Sequence, residues 1–349
     1  MRSRKYRKPS YSTRLKGDPH VFKKALAGIG AGALLLTMAA CGSDDGGSEG
    51  GGDDGSLVIG FAQVGAESAW RTANSKSIQD AAEAAGHELK FNDAQQDQEK
   101  QIEAVRGFIN QQVDVIVLAP VVETGWTDVL QEAEDAGIPV VLADRGVEAA
   151  DEDLYVTRLG SDFAEEGRKA GAWAAETFAD DADGTKILEL QGTTGSAPAN
   201  DRKAGFFEVL DAEGLNYEIV DSQSGNFTAE EGKAVMETFI TTHGLDGIDL
   251  LYAHNDEMGL GAIQAIEEAG KVPGTDIQII IVDGSTAGFQ AGVDGKLNYI
   301  VECNPAFGPQ LMEVLESVVA GDEVEKFTPV EEGVFDATQF EAELPNRQF

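Results

Sequence analysis

Cysteine is nearly absent from this chain, with two thiols in 349 residues. That excludes a fold stapled by several disulfides and a zinc centre of clustered thiolates. Histidine is as thin, at four, and no run of carboxylates has calcium-loop spacing, so a resident metal finds little support. Aromatic residues make up only 7% of the chain, yet 42% is hydrophobic, enough to fill sizeable cores and to exclude wholesale disorder. Basic residues are the third shortage. The chain has 26 Lys and Arg against 62 Asp and Glu, a formal net charge of -36. A surface this acidic repels phosphate backbones and anionic lipid, which argues against nucleic-acid binding.

The few basic residues are unevenly placed. Nine of them (Arg2, Arg4, Lys5, Arg7, Lys8, Arg14, Lys16, Lys23, Lys24) fall in residues 1–40 beside one acid, Asp18. Directly after Lys24, Ala25 to Ala40 is uncharged and mostly apolar. Its 16 residues fall short of the roughly 20 that a bilayer-spanning helix needs. A basic stretch, an apolar stretch and small residues before a cysteine make a secretion signal. Met38-Ala39-Ala40-Cys41 resembles the lipobox of bacterial lipoproteins, in which the cysteine becomes the acylated first residue of the mature chain. The reading is a signal peptide over 1–40, lipidation at Cys41, and anchorage to the outer face of the cytoplasmic membrane. Gly28, Gly30 and Gly32 imitate half of a dinucleotide-binding loop, but no strand precedes them. Residues 41–55 are a flexible tether of Gly, Ser and acids with nothing to bury.

From Leu57 onward, apolar runs of strand length alternate with stretches of helical spacing. Strands are expected at 57–62, 88–91, 115–119 and 138–143, with helices at 68–85, 98–112 and 127–136 between them. The pattern restarts near Gly160: helices at 163–178, 197–213, 228–241 and 257–269 separate strands at 186–190, 217–220, 250–253 and 277–282. Two βαβ series of similar length predict an α/β fold of two doubly wound lobes. Ligands of such sheets bind beyond the carboxyl ends of the strands, so function is to be read just after each strand.

Those positions hold Trp70-Arg71, Asp144-Arg145, Arg202, Phe227, Asn255 and Asp283, with no nucleophile–base pair among them. Carboxylates and guanidinium forks grip hydroxyl groups, and aromatic faces cover the C–H face of a sugar ring. The set suits a neutral polyhydroxylated ligand. Asp256 reads as the N-cap of a helix beginning at Glu257, which leaves Asn255 aimed at the ligand. His254 reads as structural and Cys303 as a buried thiol.

The stretches GFAQVGAESAWR, LAPVVETGW, VLADR, ELQGTTGS with DRKAGF, SQSGNFT and YAHNDEMGLGAIQAI, in this order, resemble the ribose/galactofuranose-binding family of ABC importers, over nearly all of 57–337. The resemblance implies a type I periplasmic-binding fold with three hinge segments near 159–162, 302–304 and 328–332. It divides the chain into an N-terminal lobe of 56–160 plus 303–330 and a C-terminal lobe of 161–302 plus 331–349. It implies a monosaccharide held by Trp70, Arg71, Asp144, Arg145, Arg202, Asn255 and Asp283, with Phe227 as a second ring wall. It also implies delivery to permease and ATPase subunits by a monomer that needs no cofactor. Cys303 stands where the ribose-binding pattern has a glutamine, and Ala119 replaces an amide; both favour a different furanose or a hexose. A sugar-responsive transcription regulator would need a basic helix-turn-helix where this chain has its signal and tether. An enzyme on glycosides would need two free carboxylates flanking a bond. A sensory accessory that presents a sugar to a chemoreceptor or sensor kinase is the alternative that sequence leaves open.

Overall fold

The computed structural model describes residues 55–347 and 349. The expected signal, Cys41 and all of the tether except its last residue lie outside the described residues.

The first sheet is built from β1 (Val58–Gln63), β2 (Glu88–Asp93), β3 (Val115–Leu118), β4 (Val140–Ala143) and β5 (Thr157–Gly160). Between them run α1 (Ala69–Ala85), α2 (Gln98–Asn110) and α3 (Thr127–Asp135). The second sheet is built from β6 (Thr185–Gln191), β7 (Tyr217–Ser224), β8 (Leu250–Ala253), β9 (Gln278–Asp283) and β10 (Tyr299–Glu302). Its helices are α4 (Phe163–Thr177), α5 (Ala197–Glu213), α6 (Ala229–His243), α7 (Asp256–Glu268) and α8 (Thr286–Val293). Then α9 (Gly308–Ala320) packs on α1, β11 (Phe327–Pro329) joins the first sheet and β12 (Val334–Asp336) the second. The strand orders are β11-β5-β4-β3-β1-β2 and β12-β10-β9-β8-β6-β7. All pairings are parallel except β10 with β12.

The apolar runs explain why these strands lie in the middle. Along β3, Val115 and Val117 join one core while Ile116 and Leu118 join another on the opposite face. Both faces are therefore covered by helices, as a parallel sheet requires. The first of these cores continues into the second sheet through Ile187, Tyr252 and Ile280, so one apolar layer runs through both lobes. Among the described residues the chain passes between the sheets three times: after β5, after β10 and after β11.

The two α/β series stand where the sequence puts them, most ends within a residue or two, as for α5 at Ala197–Glu213 and β8 at Leu250–Ala253. Sequence reading omitted β5, β10, β11, β12, α8 and α9. The strands among these are three or four residues long, too short to show a period.

Candidate functional site

Trp70, Arg71, Asp144, Arg145, Arg202, Phe227, Asn255 and Asp283 all line one pocket between the lobes. None is more than 4% exposed, so the two lobes close over them. The pairing of strand ends with helix starts does the positioning. Trp70 and Arg71 open α1, whose N-cap Ser68 accepts from Arg71 N. Asp144 and Phe227 lie in the left-handed region at φ 67° and 64°, and Asp283 at φ 116°. Such backbone costs about 1–3 kcal/mol per residue and persists only where the surroundings over-determine it. Phe227 shows how: its ring lies against the backbone of Gly192, where any Cβ would come within 1.8 Å of it.

Charges in this space are paired in chains. Arg71 Nη2 donates to Asp144 Oδ2 at 2.6 Å, and Arg145 Nη2 donates to Glu67 Oε1 at 3.0 Å. Arg202 Nε donates to Glu166 Oε2 at 2.6 Å and its Nη1 to the His254 carbonyl at 2.6 Å, with Asp283 Oδ1 at 3.9 Å. Each guanidinium also lies over a ring: Arg71 over Trp70 at 4.5 Å, Arg145 over Phe227 at 5.3 Å and Arg202 over Phe163 at 5.2 Å. The indole is thus not a bare plate. One face carries a guanidinium, and its Nε1 donates to the Cys303 carbonyl at 2.6 Å.

Burial works to raise the Glu67 carboxyl, but the Arg71 and Arg145 guanidiniums outweigh it and hold it below its usual range. Burial, aided by Asp256 and Glu257 against the pull of Arg202, raises Asp283 well above its usual range. Burial lowers Arg145 to about 10, with Arg71 adding like-charge repulsion. Three cations face a comparable number of acids, so the walls offer an ionic ligand no unmatched charge. Four buried atoms in these walls have no hydrogen-bond partner among the described residues: Glu67 Oε2, Arg71 Nη1, Asp144 Oδ1 and Arg145 Nε. Two accept and two donate, the complement of hydroxyl groups, which do both.

Sequence reasoning missed Glu67, Phe163 and Glu166. Glu67 sits in a loop without period. Glu166 lies in the first turn of α4, where an acid reads as a partner of the helix dipole. One cap assignment is corrected. Asn255, not Asp256, caps α7: its Oδ1 accepts from Met258 N at 3.0 Å, and its Nδ2 donates to the Phe227 carbonyl. Asp256 instead accepts from Gly284 N and Ser285 N. His254 lies buried against Glu189, their Nε2 and Oε1 atoms 3.1 Å apart. Cys303 is buried, and burial raises its thiol well above the usual range. Its Sγ lies 3.3 Å from Ser161 Oγ, which donates to Glu332 Oε1, so the three inter-sheet crossings meet at one knot.

A family profile described as a periplasmic binding protein domain matches residues 59–323. The galactofuranose-binding protein YtfQ of Escherichia coli (strain K12) is 45% identical over 261 residues, covering 74% of this chain and 81% of that protein. The fructose import binding protein FruE of Bifidobacterium longum (strain NCC 2705) is 37% identical over 329 residues, 93% of this chain and 98% of that one. A solved structure from Mycobacterium smegmatis in complex with β-D-fucofuranose superposes with a TM-score of 0.80 at 54% identity, covering 83% of this chain and 95% of the other. Two hinged α/β lobes closing over a buried polar pocket, and a family match over most of the folded part, lead to one conclusion: the chain belongs to the periplasmic binding protein family.

Proposed function

We propose that this protein is the sugar-binding component of an ABC importer, and that it closes on one neutral monosaccharide, galactofuranose or a similar furanose. The observation that carries the reading is the set of four unpaired buried atoms on Glu67, Arg71, Asp144 and Arg145. Each such group costs roughly 1–3 kcal/mol when left unmatched. A sugar that supplies hydroxyls to them stabilises the closed arrangement over the open one. Arg202, Asn255 and Asp283 meet the ligand from the second lobe, so contacts divided between lobes convert binding into closure, and the permease reads the closed form. The similarity to a protein named for galactofuranose and to a structure solved in complex with β-D-fucofuranose supports a five-membered ring. The acylated Cys41 tethers the protein to the membrane, and residues 42–55 hold the lobes clear of it.

Mass spectrometry of ligand released from the protein after gentle purification tests this reading. A single pentose or hexose at a near-equimolar amount is expected; an amino acid, a peptide or a metal in its place contradicts it. In the native host, Cys41→Ser is expected to abolish incorporation of labelled fatty acid and to release the protein into the medium.

A further inference from the structure

The N-terminus of α1 is completed from the other lobe. Helix starts leave their first N–H groups without intrahelical partners. Within its own lobe α1 satisfies one of them: Ser68 Oγ accepts from Arg71 N at 3.0 Å. The first turn of α1 contains no acidic residue of its own. The N–H of Ala69 is met instead by Glu257 Oε1 at 2.5 Å. Glu257 stands in the first turn of α7, between β8 and β9 of the second sheet. Asn255 Nδ2 holds the other carboxylate oxygen at 3.0 Å, and the same Nδ2 donates to the Phe227 carbonyl at 3.1 Å. The neighbours of both partners, Ser68 and Asn255, line the pocket.

We propose that Glu257 is a closure latch, a positioning residue that caps α1 across the cleft and sets how long a bound sugar is held. The proposal rests on the reading of the protein as a sugar-binding component. An opening of the lobes separates α7 from α1, so the bond exists only when they are shut. Its strength therefore adds to the closed state alone and leaves the stability of each lobe unchanged. Closure brings Ala69 N, the positive end of the α1 dipole and a fixed acceptor together. A carboxylate is not required for this. Burial raises the Glu257 carboxyl, Ala69 N–H opposes that, and Glu67 adds repulsion. An uncharged acceptor of the same shape makes the bond without that cost.

The test compares Glu257→Ala and Glu257→Gln with the parent protein by stopped-flow tryptophan fluorescence, using D-galactose, D-fucose and L-arabinose as probes. For Glu257→Ala, dissociation is expected about fivefold faster, with association and the melting temperature of the free protein unchanged. Glu257→Gln is expected to release sugar no faster than the parent. A lowered melting temperature of free Glu257→Ala, or a dissociation rate equal to the parent's, overturns the latch. If the parent takes up none of the probes, the sugar reading fails for them, and hydrogen exchange of the Ala69 amide in the closed protein, carrying whatever ligand it retains through purification, then decides the latch. Protection lost in Glu257→Ala and kept in Glu257→Gln supports it, and equal exchange in all three contradicts it.

Discussion

Asp144 is the residue on which the pocket turns. Its Oδ2 accepts from Arg71 at 2.6 Å while its Oδ1 remains unpaired in the pocket wall. Removing the side chain leaves a buried guanidinium without its shortest partner, which destabilises by about 3–5 kcal/mol. Asp144→Ala is therefore expected to lower the melting temperature as well as to lose sugar. Asp144→Asn keeps the shape and one acceptor. It is expected to fold and to bind about a hundredfold more weakly, corresponding to the roughly 3 kcal/mol of a charge-assisted bond. Titration calorimetry beside a thermal melt separates the two effects, and wild-type affinity in Asp144→Asn removes this residue from the site. Cys303 makes a simpler prediction. A buried thiol with a raised pKa is a poor nucleophile, so the native protein is expected not to react with Ellman's reagent at pH 8 until it is unfolded. Immediate reaction contradicts the burial.

At the scale of elements, α4 and α5 approach closely enough that backbone replaces side chains between them. A Cβ on Gly205 would lie 2.1 Å from the Ala164 carbonyl oxygen, and one on Gly167 would lie 2.3 Å from the Arg202 carbonyl oxygen. Gly205→Ala is expected to push α5 outward, to cost about 1–3 kcal/mol of stability, and to weaken binding by moving Arg202. An unchanged melting temperature contradicts that packing. The elements themselves were legible because strands such as Val115–Leu118 are unbroken apolar runs and helices such as Ala197–Glu213 start and stop at strong signals, ending at Gly214. Most of the pocket residues were legible for a topological reason: they stand just after a strand or at a helix start, whereas Arg202 lies a turn inside α5. What was not legible was partner choice. Asn255 and Asp256 are both good caps by type, and only the fold shows that Asp256 is drawn away by the amides of Gly284 and Ser285. Arg202 reads as a ligand contact, and no local signal marks Glu166, 36 positions earlier, as its partner.

For the whole molecule, pH is the lever that reaches several of these groups together. Burial raises Asp256 to about 7 and Glu332 to about 8, and it raises Glu166 as well. Between the ordinary carboxyl range and these values the folded state binds more protons than the unfolded one, so stability falls as pH rises. The net charge of -36 adds self-repulsion that protonation relieves. Below this window the sign reverses. Glu189 is held down to about 2: burial opposes ionisation, and His254, Lys203 and Ser222 prevail over it. Its contribution is present above the ordinary carboxyl range and is lost as pH falls toward that value. The melting temperature is therefore expected to be higher at pH 5.5 than at pH 8.5 and to drop again below about pH 4. Glu332→Gln is expected to flatten the upper limb. A melting temperature that rises between pH 5.5 and 8.5 contradicts this assignment.

The central claim is that two lobes shut on one uncharged furanose. Isothermal titration of the ligand-stripped protein with D-galactose, D-fucose, L-arabinose, D-ribose and D-glucose tests it most directly. Saturable heat with one site per chain is predicted for at least one of the first three, whose solutions hold the furanose ring as a minor form. The apparent affinity is then reduced by that fraction. Absence of heat from all five, or binding confined to D-glucose, contradicts the claim.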